Sequence, residues 1–223
     1  MQEKKFCYQY PHPALAADCV IFGFDGKQVK ILLIQRLNEP YKDRWAFPGG
    51  FMNIDETVEE CAKRELEEET GLKNIEVEQF YIFSDVKRDS RERILSVAHY
   101  SLVKLSQVKA NDDAANAKWF SKDEIPPLAF DHEQMLQKAK ERLKQRIYFE
   151  PIGLELLEKE FAINELQNLY EAILETKLDS KQFFKEIERL DYLIKTEKGR
   201  YSFNINKYNE LKESKTHLSF QII

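Results

Sequence analysis

The segment WAFPGGFMNIDETVEECAKRELEEETGL, residues 45–72, constrains this chain more than any other stretch. It carries seven glutamates and one aspartate in 28 residues, opens on a Pro-Gly-Gly turn and closes on Thr70-Gly71-Leu72. Thr57 and Glu60 make a capping box, so a helix is predicted over 57–70. At about 100° per residue, with Leu66 at zero, Ala62 and Val58 fall near −40° and −80°. Glu69 comes at about −60° and Glu65 at about −100°, inside that apolar arc, and Glu68 lies on its edge near Cys61. A solvated face held by i,i+4 pairs accounts for Glu60, Lys63 and Glu67 on the opposite side. It does not account for Glu65 and Glu69. Two carboxylates one turn apart on the side that must pack repel each other and lose hydration, so they either take up protons or bind a cation. Ligands that are all oxygen favour a hard ion, Mg²⁺ or Mn²⁺.

Around this helix the chain alternates between periods. Residues 14–24 and 28–36 are apolar and β-branched, with an Asp25-Gly26 turn signal between them, and read as paired strands. Residues 77–86 and 93–105 read as two more strands joined by the charged loop KRDSRER, and 117–120 as a short one. Asp131 is expected to cap a helix with Met135, Leu136, Ala139, Leu143 and Ile147 at 3–4 spacing. Strands mixed with two helices imply an α/β sandwich for residues 1–150, with EPIG, 150–153, as a hinge. Residues 151–223 change character. Helices over 164–175 and 179–190, the second behind an Asp or Ser cap, precede a hairpin over 192–205 that turns at Glu197-Lys198-Gly199. Two helices and a hairpin imply a winged helix.

Composition sets the outer limits. With 43% apolar and 12% aromatic residues the chain can pack a core. The net charge of −5 argues against a protein that coats nucleic acid by charge alone, though not against a local basic patch. Cys7, Cys19 and Cys61 form no CxxC pair and read as reduced thiols. The N-terminus lacks the marks of a signal peptide, and the apolar run ALAADCVIFGF is too short to span a bilayer, so a cytoplasmic protein with no membrane partner is expected.

The order of residues then carries a resemblance. Gly50 is followed after five residues by Glu56; seven residues later come Arg64-Glu65-Leu66, a spacer, Glu68-Glu69, another spacer and Gly71-Leu72. Every fixed position of the Nudix box is matched. The chain thus resembles the Nudix hydrolases, which cleave a nucleoside diphosphate linked to another group and whose fold is an α/β/α sandwich with a mixed sheet. The resemblance implies Glu65, Glu68 and Glu69 as metal ligands, Glu56 as a further ligand or water-holding carboxylate, and a Gly50 carbonyl ligand. It implies that Arg64 orients the glutamates. Gly49 and Gly50 would let the backbone approach metal and diphosphate. For the base the family offers either a box glutamate or a later carboxylate, here Glu92, Asp112 or Asp113. Arg36, at a strand end, reads as a phosphate contact or a salt bridge. Trp45 and Phe47 read as a stacking platform for a base or as core. His99 and Cys61 read as core.

Beyond the box, RDSRERILSVAHYSLV and the C-terminal half resemble the branch that holds ADP-ribose pyrophosphatases and Nudix-related transcriptional regulators, which bind operator DNA as dimers through a C-terminal winged helix. Two functions are therefore expected to compete: Mg²⁺-dependent hydrolysis, with ADP-ribose favoured over a sugar nucleotide, and ligand-sensing DNA binding, with a homodimer implied. The intact box favours the first. For the second, Lys181, Gln182 and Lys185 lie on the second helix, with Lys198 and Arg200 at the wing. Residues 151–223 nevertheless hold 11 basic and 13 acidic side chains. That balance leaves a protein–protein role for the winged helix open.

Overall fold

The computed structural model describes residues 9–109 and 114–214. Strands β1 (Ala14–Phe24), β2 (Val29–Arg36), β3 (Trp45–Ala46), β4 (Gly49–Phe51), β5 (Glu78–Phe83), β6 (Ile94–Leu102) and β7 (Ala114–Ser121) form one mixed sheet. Its path runs β3-β2-β1-β6-β5, with β4 paired to β1 and β7 to β2. The β1–β6 pair is parallel and the others are antiparallel.

Strand β1 is apolar except for Asp18 because both of its faces are covered. Ala17, Cys19 and Ile21 meet Cys61, Ala62 and Leu66 of helix α1 (Val58–Thr70). Val20 and Phe22 meet Met135, Leu136 and Ala139 of helix α2 (His132–Arg146) on the other side. This is the expected α/β/α sandwich. Helix α1 starts as read: Thr57 Oγ1 accepts from the Glu60 N–H at 3.2 Å, and the Glu60 carboxylate accepts from the Thr57 N–H at 2.7 Å.

The tail forms helices α3 (Ile163–Leu174) and α4 (Ser180–Leu190), a hairpin of β8 (Leu193–Lys195) and β9 (Tyr201–Phe203), and a helix α5 (Ile205–Ser214). Asp179 supplies the α4 cap, accepting from the Gln182 N–H at 2.9 Å. Phe183, Ile187 and Leu190 bury one face of α4 against Tyr170, Tyr192 and Phe203, so the helix-helix-hairpin unit is a winged helix.

Three readings change. Strands β3 and β4 flank Pro48 where only a turn was expected; they are two and three residues long, too short for alternation to show. Helix α5 was not foreseen, because Tyr208 is its one buried residue and a single apolar position carries no period. The segment 150–153, read as a hinge, is packed: Pro151, Ile152 and Gly153 are buried, and the Ile152 N–H donates to the Tyr170 hydroxyl at 3.2 Å. One apolar core runs from β1 and α2 through this segment into α3 and α4. Among the described residues no helix is long and apolar enough to cross a membrane.

Candidate active site

The antiparallel pairing of β4 with β1 sets Gly49 opposite Asp18 and Gly50 opposite Ala17. Helix α1, seated by Cys61, Ala62 and Leu66, then brings Glu65 and Glu69 up against those glycines. The Gly49 N–H donates to Glu69 Oε2 at 2.8 Å. A Cβ on Gly50 would lie 2.3 Å from Glu65 Oε1, and one on Gly49 would lie 2.3 Å from the Ala17 carbonyl oxygen. Both positions need glycine for closeness of approach.

The inward glutamates are uncomfortable as bare anions. Burial pushes the Glu69 carboxyl up to about 8, with Glu65 and Asp18 adding repulsion against the relief from the Gly49 N–H. Burial also raises Glu65, although its bond to Arg64 works the other way. Arg64 gathers the remaining box carboxylates. Its Nε and Nη2 donate to Glu56 at 2.9 and 2.7 Å, and its Nη1 donates to Glu65 at 2.7 Å and Glu68 at 2.9 Å. Nη2 also reaches the Phe51 carbonyl at 3.1 Å. This grip holds Glu56 down at about 2. Among the described residues no three His, Cys, Asp or Glu side chains form a ready metal cage. Glu56, Glu65 and Glu68 converge on the guanidinium, while Glu69 keeps to the Gly49 side. The donor set, all oxygen and partly desolvated, suits a hard divalent ion in kind.

A cleft of about 390 Å³ opens over Glu65, Glu69 and the two glycines, large enough for a small-molecule ligand. Its opposite wall is cationic. Arg36 lines it, with Nε donating to the Pro40 carbonyl at 3.0 Å and the guanidinium 4.8 Å from the centre of the Phe130 ring. No carboxylate among the described residues lies within ion-pair distance of it, so the strand-end salt bridge is not what holds Arg36. Arg91 lies over Phe51 at 5.1 Å, clamped to Asp89 at 3.0 and 2.7 Å. Carboxylates on one wall and guanidiniums on the other can hold a cation and the phosphates it neutralises.

A buried polar layer supports the floor. His132 Nδ1 accepts from the Phe47 N–H at 2.9 Å, which leaves its proton on Nε2, 3.7 Å from Asp18 Oδ1. Burial lowers the His132 pKa, so the ring is neutral. Asp18 also accepts from the Ser96 hydroxyl. Arg88 pairs with Asp131 at 3.0 and 2.8 Å and stands 3.7 Å from Asp18. Asp131 therefore precedes α2 without capping it through its side chain, contrary to expectation, because Arg88 takes both carboxylate oxygens.

The aromatic candidates move. Trp45 packs edge-on to Phe120 at 4.7 Å, away from the cleft, and Phe47 is buried with its ring stacked on His132 at 5.3 Å. The aromatic face at the cleft belongs to Phe51, with Phe130 beside it against Arg36 and Arg91; sequence reasoning singled out neither. Asp18 had a visible signal, a charge inside an apolar strand; Arg88, Arg91 and His132 had none beyond their residue type. His99 is core, its Nδ1 3.1 Å from the Val97 carbonyl oxygen. Glu92 is exposed on the loop before β6, and Asp112 and Asp113 lie outside the described residues.

In the tail, Lys181, Gln182 and Lys185 are exposed on α4 and Lys198 is exposed at the wing turn. Arg200 is partly committed: its Nη2 donates to the Glu160 carbonyl at 2.9 Å and to Glu165 at 3.0 Å, bolting the wing to the start of α3.

Residues 12–139 match the NUDIX domain family, and residues 153–203 match the NrtR DNA-binding winged helix domain. The chain is 35% identical over 179 residues to the ADPR responsive transcriptional repressor NtrR of Acinetobacter baylyi, covering 78% of this chain and 72% of that protein. It is 42% identical over 128 residues to the ADP-ribose pyrophosphatase of Methanocaldococcus jannaschii, covering 57% of this chain and 73% of that one. Its structure superposes on Shewanella oneidensis NrtR complexed with a 27mer DNA with a TM-score of 0.72 and 29% identity, over 87% of this chain and 95% of that one. The chain belongs to the Nudix family, in the branch that joins a Nudix domain to an NrtR-type winged helix.

Proposed function

We propose that residues 1–150 bind an ADP-ribose-type nucleoside diphosphate and hydrolyse its diphosphate in a reaction dependent on Mg²⁺ or Mn²⁺. The observation that carries this is the complete glutamate set around Gly49 and Gly50, with Glu65 and Glu69 facing a cleft whose other wall holds Arg36 and Arg91. Glu65, Glu68 and Glu69, with Glu56 and the Gly50 carbonyl as further donors, would hold the ion. Such an ion supplies charge neutralisation and a more acidic water. Arg64 holds Glu56, Glu65 and Glu68 in one orientation, Arg36 binds phosphate oxygens, and the Gly49 and Gly50 backbone lets the diphosphate come close.

A second reading rests on its own observation. Lys181 and Lys185 are exposed one helical turn apart on α4, and the wing places Lys198 beyond them. With the likeness to NrtR proteins, this supports residues 151–223 as a DNA-binding part of a homodimeric regulator whose effector occupies the Nudix cleft. The two readings coexist in one chain.

The deciding experiment measures AMP release from ADP-ribose with Mg²⁺ or Mn²⁺, in wild type and Glu69→Gln. Rapid metal-dependent release abolished in the variant supports catalysis. No release, with thermal stabilisation by ADP-ribose, leaves the sensor reading alone.

A further inference from the structure

A second cavity, of about 300 Å³, lies on the far side of the sheet from the glutamates, where the Nudix part meets the winged helix. Its mouth is cationic. Lys27 comes from the β1–β2 turn, Lys122 from the turn after β7, Lys140 and Lys144 from α2. Two of these ammonium groups converge on one carboxylate from the other part of the chain: Lys122 meets Glu175 Oε1 at 2.9 Å and Lys144 meets Oε2 at 2.7 Å. They hold Glu175 down at about 2. Glu175 closes α3 in the left-handed region at φ 56°, a conformation that a non-glycine residue adopts at a cost.

Four lysines line the cavity against three carboxylates, Asp123, Glu171 and Glu175. Glu171, also at the cavity, is already taken by Lys177 and by the Leu178 N–H at 3.1 Å. Lys140 is half-buried and has no hydrogen-bond or ion-pair partner among the described residues. Burial holds its pKa below the usual lysine range; Glu175 and Asp123 oppose the shift, and Lys122 and Lys144 reinforce it. The carboxylate that attracts Lys140 most, Glu175, is already bonded to two other lysines, so the half-buried ammonium is only partly compensated and a dianion beside it relieves that cost. The cavity floor is apolar, formed by Phe22, Ile31, Leu143 and Ile173, with Val29 and Ala172 at the wall. Inorganic phosphate alone leaves that floor unused.

We propose that this cavity is a second ligand site, separate from the Nudix cleft, that takes a phosphate monoester with a compact aromatic or apolar body. The phosphate meets Lys140 and competes with Glu175 for Lys122 and Lys144; the body covers the Ile31 and Ile173 floor. Because Glu175 belongs to α3, ligand entry exchanges a tie between the two parts of the chain for a tie to the ligand.

The test titrates the full chain with phenyl phosphate and with inorganic phosphate, read by calorimetry. Phenyl phosphate should saturate one site and bind about tenfold more tightly than inorganic phosphate, through the floor. Lys140→Gln removes a charge that makes no hydrogen bond or ion pair among the described residues, and should weaken phenyl phosphate by about tenfold. Glu175→Gln frees Lys122 and Lys144 for the phosphate and should tighten it by about threefold. Arg36→Ala, which alters the Nudix cleft, should leave binding intact. Indifference to Lys140→Gln, loss in Arg36→Ala, or no binding at millimolar phenyl phosphate would each overturn the proposal.

Discussion

Arg64 grips both carboxylate oxygens of Glu56, eight positions earlier, Nε to Oε2 at 2.9 Å and Nη2 to Oε1 at 2.7 Å. The pair joins the loop before α1 to the helix itself and aims Glu65 and Glu68 by the same guanidinium. Lysine has the charge but not the fork. Arg64→Lys should fold and lose about ten- to hundredfold in kcat, from hydrogen bonds worth about 1.5–3 kcal/mol when charged. Steady-state kinetics checks this, and an unchanged kcat would remove Arg64 from the site's geometry.

The two glycines should fail differently. Gly49→Ala drives a Cβ onto the Ala17 backbone and should cost about 1–3 kcal/mol by denaturant midpoint. For Gly50→Ala the three nearest atoms all belong to the Glu65 carboxyl group, which can swing away. It should unfold near the wild-type midpoint while losing Mg²⁺ affinity in a titration. Equal destabilisation by both would contradict this account of β4.

Acid should act through His132. Its pKa is depressed in the folded chain because it is buried; Asp18 and Asp131 oppose the shift, and Arg88 and Arg36 reinforce it. The unfolded chain binds a proton near pH 6.5 and the folded one resists it, so stability is present above about 6.5 and falls as pH drops, by at most about 1.4 kcal/mol per unit. Chemical denaturation at pH 7.5 and 5.5 should show a smaller loss for His132→Gln than for wild type. An equal loss would place the acid sensitivity elsewhere.

For the winged helix, Lys181→Ala and Lys185→Ala should each weaken binding to DNA from upstream of the protein's own gene. If each lysine meets a phosphate, each variant lowers the slope of log K against log salt by about 1. Arg200→Ala should instead lower thermal stability, since Arg200 ties the wing to Glu160 and Glu165. A salt slope unchanged in both lysine variants would count against α4 as the DNA-facing helix.

What the sequence determined by itself was local. The capping box, the inward placement of Glu65 and Glu69 and the two-helix-and-hairpin tail all follow from periods and spacings within a dozen or so residues, and the structure bears them out. Tertiary structure decided what depends on partners far apart in the chain. Asp18 meets His132 and Arg88 only because β1, the loop before β6 and the start of α2 converge. Trp45 packs on Phe120 and Phe47 on His132 while Phe51 lines the cleft, because those ring partners come from elements far along the chain. The lysine cavity gathers Lys27, Lys122 and Lys144 around Glu175, residues that no spacing relates. Helical and strand periods are properties of neighbouring residues; a buried charge finds its partner only when the whole core has closed around it.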